Sequence, residues 1–356
     1  MAHGFPADRG GDLVLSTWSA VSPFGWGHEA FADGLRAGRT ALTPLDDKTL
    51  PPGVATAGVI PDFSPESALG RKGTRSMDRV TAIAVKAVGL LVERCGPGFL
   101  ATPERVGLTL GTGSGSVQSV IDFSVDSLTG ARPYDVDPAR FPNTVMNKAA
   151  AESAIWHGVR GPNTTVVGEN ATGLLALSNA ARLLRAGRCD RVLVGSVEEY
   201  TPQRAWFSWH AGQHRPLGEG GAVFVLERRH DAADAGRTPQ ATLLSTRFRA
   251  FHAPADRERA LAQCVTDALS DAAAHPGDIG VVAPSGDETG CSALTGVSRN
   301  PQWLHCSAWL GETSAASAGF QLAAALVTGA NCAPGTLALI TSVEPAGTVG
   351  CAVLRL

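Results

Sequence analysis

The chain has 356 residues, 44% of them hydrophobic, which is enough apolar material for a large core or two fused lobes. Its 30 basic and 33 acidic residues are interspersed and leave a net charge of −3, without the clustered Lys/Arg face that a phosphate backbone requires, so nucleic acid is not expected as a partner. Seven single cysteines with no CxxC pair and no Cys/His cluster suit a reducing compartment and supply no metal-ligand set, and the opening residues and later apolar runs fall short of a signal stretch or of the ~20 residues that span a bilayer, so a cytoplasmic location is expected.

Short apolar runs bounded by glycine or charge read as buried strands, in chain order at 13–17, 106–110, 164–167, 191–194 and 222–226, then at 242–246, 279–282, 337–341 and 350–354. Ala/Leu-rich helical stretches lie between them at 77–93, 147–157, 173–186, 258–274 and 314–329. This alternation, with 41 glycines for tight strand-to-helix turns, predicts an α/β fold of βαβ units with mostly parallel sheets. The polar run 228–239 reads as a connector between two similar lobes, 1–237 and 238–356. At 164–173 a strand runs through GENATG directly into a helix, the kind of sharp turn that lifts one side chain beside free backbone N–H groups.

Several motifs then carry a resemblance. The segment 161–199, GPNTTVVGENATGLLALSNAARLLRAGRCDRVLVGSVEE, resembles the nucleophile region of β-ketoacyl synthases, and so do VGLTLGTGSGS at 106–116, 141–163 and GEGGAVFVLE at 218–227, in the family's order. The resemblance implies the thiolase fold, two pseudo-duplicated βαβ-rich halves stacked in five αβαβα layers. Active members of that family attack an acyl thioester with an elbow cysteine, while two histidines and a lysine handle the malonyl unit.

This sequence departs at each of those positions. The elbow cysteine falls on Asn170, the first histidine on Pro284 or Ser285, the second on Glu312 and the lysine on Ser307, while EPAGTVG at 344–350 replaces the terminal Gly-Phe-Gly-Gly gate. An amide is no nucleophile, and a carboxylate at Glu312 opposes a developing enolate. Chain-length factors of type II polyketide synthases carry Glu-Gln at the elbow where active subunits carry Ala-Cys, and Glu169-Asn170 looks like a variant of that pair. Related decarboxylating synthases lose the cysteine but keep the histidines, so the decarboxylase reading lacks its machinery here.

The resemblance therefore implies a catalytically silent subunit without a cofactor. It would pair with an active ketosynthase through Thr164, Thr165, Val166, Val167 and Glu169, and serve a polyketide or polyene acyl chain held by acyl carrier protein. The tunnel wall would fall on Ser119, Val120, Asp122 and Phe123, or on a face rotated toward Val120, Phe123 and Ser127 because Asp122 and Asp126 are odd company for an apolar chain. Two rival readings stay open. One is a stand-alone homodimeric scaffold for acyl carrier protein; the other is an acyltransferase with chemistry relocated to Glu312 or Cys291.

Simpler readings stand beside these. Asn170 suits a cap on the following helix or a hydrogen bond across an interface, and Cys291 a plain loop thiol. His210 and His214 read as surface histidines, GTGSGS as a tight turn rather than a phosphate loop, and the aromatic cluster Trp206 to Trp209 as core or interface packing.

Overall fold

The structure is a computed structural model, and it describes residues 11–285, 294 and 300–356. Cys291 lies outside the described residues.

Two sets of five strands share one plan. The first set is β1 (Leu13–Ser22), β2 (Val106–Thr112), β3 (Asn163–Val167), β4 (Arg191–Glu198) and β5 (Gly220–Arg228). The second is β6 (Ala241–Ala250), β7 (Ile279–Ala283), β8 (Gln302–Trp303), β9 (Leu337–Glu344) and β10 (Thr348–Arg355). Across the sheet they run β8-β7-β9-β10-β6-β1-β5-β4-β2-β3, so each set has the same internal order, mirrored about a β6–β1 seam. That seam consists of Leu13, Val14 and Leu15 paired with Leu243, Thr242 and Ala241.

The expected mostly parallel sheet is corrected. Only the outer strands of each set are parallel, whereas β9, β10, β6, β1, β5 and β4 alternate in direction. Between β9 and β10 the chain has room for a tight turn and none for a crossover helix, so that pair must be antiparallel. The run 228–239 is likewise more than a connector: Arg228 ends β5, and residues Arg229–Asp234 form a short helix.

Seven principal helices serve the sheets: α1 (Arg79–Cys95), α2 (Val117–Thr129), α3 (Lys148–His157), α4 (Thr172–Arg185), α5 (Pro202–His210), α6 (Arg257–Asp271) and α7 (Ser317–Gly329). Helices α4 and α7 form the middle layer. Each touches strands of both sets, and Leu174, Leu177, Phe320 and Leu322 pack there with Trp18, Phe224 and Ile340 in one core. α1 and α3 cover the outer face of the first set through Ile83, Val88 and Ala150, and α6 covers the second through Leu261 and Val265. The result is five layers, αβαβα. Helix α7 is apolar nearly all round because strands pack on either side of it, whereas α4 keeps a polar side with Arg182 and Arg185.

Candidate functional site

Strand β3 ends at Val167 and the chain turns through Gly168, Glu169 and Asn170 to Ala171, the residue that opens α4. Glycines allow this close approach. A Cβ at Gly168 would lie 2.8 Å from Thr172 Oγ1, and one at Gly173 would lie 2.9 Å from both Ala318 Cβ on α7 and Ser196 Oγ on β4. The GTGSGS segment is a close turn of the same kind: a Cβ at Gly113 would meet the Glu198 carboxylate at 2.4 Å.

The turn is strapped to the end of β9. Asn170 Nδ2 donates to the Val343 carbonyl at 3.0 Å, and Glu344 Oε1 accepts from the backbone N–H groups of Glu169 at 2.9 Å and Ala171 at 3.1 Å. Asn170 therefore does not cap α4, whose start has no side-chain cap; its Nδ2 is engaged within the chain instead. Burial raises the Glu169 carboxyl above its ordinary value, and the nearby Glu344 charge adds to the rise.

Asn170 lines two adjoining clefts, of about 320 Å³ and about 230 Å³, which also share Ser208, Gln213, Leu217, Glu312 and Pro345. Glu312 pairs with Arg215 at 3.3 Å, and Arg204 braces the wall through the carbonyls of Glu199 and Gly218 at 2.8 Å each and of Glu312 at 3.0 Å. His210 and His214 are both exposed, as a reading of them as surface histidines expects, and His214 also lines the larger cleft; edge-on contacts of Trp209 with both rings link these histidines in space. His210 ends α5, so the pair does not share a helix face, and no metal-holding group of three ligands occurs among the described residues.

The structure thus brings Asn170 and Glu312 together but not the other departed positions. Ser285 is buried just past β7, Pro284 beside it, and Ser307 sits on the short helix Cys306–Leu310; none lines either cleft. Among the described residues of the two walls there is no cysteine or lysine, so the walls supply the amides of Asn170 and Gln213, the carboxyl groups of Glu169 and Glu312, serine hydroxyls, guanidinium groups and one imidazole.

The α2 residues divide. Ser119 and Asp122 face a separate cleft of about 630 Å³ shared with Arg75, Asp78, Arg140 and Asn143, whereas Val120 is half exposed and Phe123 packs on Phe141, ring centres 6.0 Å apart. Asp122 holds Gln118 Nε2 at 2.7 Å, Asp126 pairs with Arg140 at 3.4 Å, and Ser127 donates to the Pro133 carbonyl. That cleft is lined mainly by charged and polar side chains.

Behind both regions runs a string of buried carboxyl groups that the sequence reading passed over. Asp78 caps α1 through Thr81 N, Glu199 accepts from Val80 N at 3.1 Å, and Glu198 meets the Ser314 side chain at the smaller cleft. Burial raises all three, and the Asp78 and Glu198 charges help bring Glu199 to about 8.

β3 is an end strand, paired only with β2 among the described strands. Val167 on it is exposed, as are Val125, Leu128, Phe141, Ile155 and Phe207, and every exposed large apolar side chain among the described residues falls within residues 120–207. No described helix is long and apolar enough to cross a membrane.

Two mirrored five-strand sets enclosing a helical layer, with a strand-to-helix elbow at the cleft, define a thiolase-like condensing-enzyme fold. The profile described as Beta-ketoacyl synthase, N-terminal domain, matches residues 13–214, and the chain belongs to that family. It is 37% identical to a chain of the ishigamide ketosynthase/chain length factor, with a TM-score of 0.89 over 97% of this chain and 99% of that one. A type II polyketide synthase structure described as an acyl-carrier protein in complex with its ketosynthase bound to the hexaketide, AntDE:AntF, matches in fold with a TM-score of 0.81 at 16% identity over 98% and 99% of the two chains. Among curated proteins, 3-oxoacyl-[acyl-carrier-protein] synthase 2 of Coxiella burnetii is 24% identical over 306 residues, 78% of this chain and 73% of that protein.

Proposed function

We propose that the chain is a catalytically silent, chain-length-factor-like subunit of a type II polyketide synthase, which pairs with an active ketosynthase and helps shape the passage for an acyl chain carried by acyl carrier protein. One observation carries the reading: the side chain at the elbow is an amide already engaged with Val343 O, and the neighbouring N–H groups are taken by Glu344, so nothing there forms a thioester. Glu312, in the place of the second histidine, brings negative charge where an enolate would need stabilising.

The likeness to a chain of the ishigamide ketosynthase/chain length factor supports this assignment. So does the unpaired edge of β3 with Thr164, Thr165, Val166 and Val167, beside Glu169 and set among exposed apolar side chains, as a pairing surface for the active subunit. Ser119 and Asp122 remain in this reading as passage residues, at a polar stretch of it; Val120 and Phe123 join the apolar pairing surface. The division into halves 1–237 and 238–356 is supported by the shared strand order. The reading calls for a cytoplasmic complex and for no cofactor.

The test is acylation. Incubated with labelled acyl or malonyl carrier protein, the purified chain acquires no covalent label and leaves malonyl thioester intact, whereas co-expression with the ketosynthase of the adjacent reading frame gives a stable complex labelled on the ketosynthase alone. Label on this chain that Asn170→Ala or Glu312→Ala abolishes overturns the proposal.

A further inference from the structure

We propose that the elbow is an anion nest whose resident ligand is the chain's own Glu344, and that a small free carboxylate takes the nest when that side chain is cut away. Two backbone N–H groups, of Glu169 and Ala171, converge on the single oxygen Oε1 at 2.9 and 3.1 Å. They stand where α4, fourteen residues long, begins, so the positive end of its dipole faces the same oxygen.

The carboxylate is seated, not loosely packed. Glu344 is 7% exposed and makes no ion pair among the described residues, so N–H groups and the helix dipole are what answer its charge. It is the last residue of β9, and its own carbonyl accepts from Gly347 N at 3.1 Å across the turn to β10, which fixes the backbone that delivers it. Gly347 supports that turn with φ of +106°, and Asn170 clamps the preceding residue through Val343 O. Room for the oxygen comes from Gly168, where a Cβ would press to 3.1 Å.

With Glu344 in place the nest refuses a second anion, because both N–H groups are used and the Glu169 carboxyl stands beside them. A side chain 175 residues away in sequence thus closes the elbow from within. This concerns the chain's own backbone and holds whichever partner it has.

The experiment is chemical rescue of Glu344→Ala in the full chain. The variant loses about ten- to a hundredfold in its folding equilibrium constant, the scale of leaving buried N–H groups unmatched. Formate or acetate restores much of that loss in a saturable manner, chloride at equal ionic strength does not, and wild type is indifferent to all three. Glu344→Gln, whose amide oxygen still fills the nest, keeps most of the stability and ignores formate. If Glu344→Ala does not fold in chloride, refolding yield in formate becomes the readout, and recovery supports the nest. Unchanged stability of Glu344→Ala, a loss that formate and acetate repair no better than chloride, or no refolding in formate overturns it.

Discussion

Glu199→Gln should stabilise the protein in mild alkali. Glu199 is fully buried, its carboxyl is raised from 4.5 to about 8 by burial and then by the Asp78 and Glu198 charges, and its hydrogen bonds come from backbone N–H groups such as Val80 N. A folded-state value above the unfolded one means the folded chain binds this proton more tightly. Stability is then fully present below about pH 4.5, falls as pH rises, and levels off above about pH 8. The slope approaches about 1.4 kcal/mol per pH unit inside that window, and the whole span is on the order of 5 kcal/mol at most. Glutamine keeps an acceptor for Val80 N and never ionises. Urea denaturation followed by tryptophan fluorescence from pH 5 to 9 should therefore show the two proteins nearly equal at pH 5 and the variant ahead by a few kcal/mol at pH 9. A flat wild-type profile, or a variant less stable than wild type at pH 9, refutes the reasoning.

Other expectations follow from single contacts. Arg79→Met removes the guanidinium that grips the fully buried Glu219 carboxylate through Nε at 2.7 Å and through Nη2, and should cost about 3–5 kcal/mol in the same denaturation assay. Gly173→Ala drives a methyl against Ala318 Cβ and Ser196 Oγ between α4 and α7, and should lower stability by about 1–3 kcal/mol, visible as a reduced melting temperature. Val167→Asp puts charge on the exposed apolar end of β3; size-exclusion of the co-expressed complex should show affinity for the ketosynthase weakened by about tenfold or more, with the chain's own melting temperature little changed.

Much of the architecture is legible because strand burial and helix periodicity are local signals. The 106–110 and 337–341 runs mark real strands, which the structure lengthens to Val106–Thr112 and Leu337–Glu344. Strand β1 continues past 17 to Ser22, where Ser19 and Ser22 are buried inside the sheet, and polar residues of that kind do not read as strand interior. Strand direction is not local, so the antiparallel centre was hidden. The elbow was plain from TTVVGENATG, but the carboxylate that fills it comes from β9, and no spacing rule joins Asn170 to Val343 and Glu344. The charged cleft at Ser119 and Asp122 was half visible in the two aspartates of α2; the arginines opposite, Arg75 and Arg140, come from other segments.

The β6–β1 seam has a practical consequence for engineering. Strand β1 is bonded to β5 on one side and to β6 on the other, while α4 and α7 each touch both sheets, so continuity of the peptide between β5 and β6 adds little to what already holds the halves together. A nick at Gly236, in an exposed turn after the short helix Arg229–Asp234, should leave two fragments that stay docked and that reassemble when produced separately, giving a split protein whose pieces can be labelled one at a time.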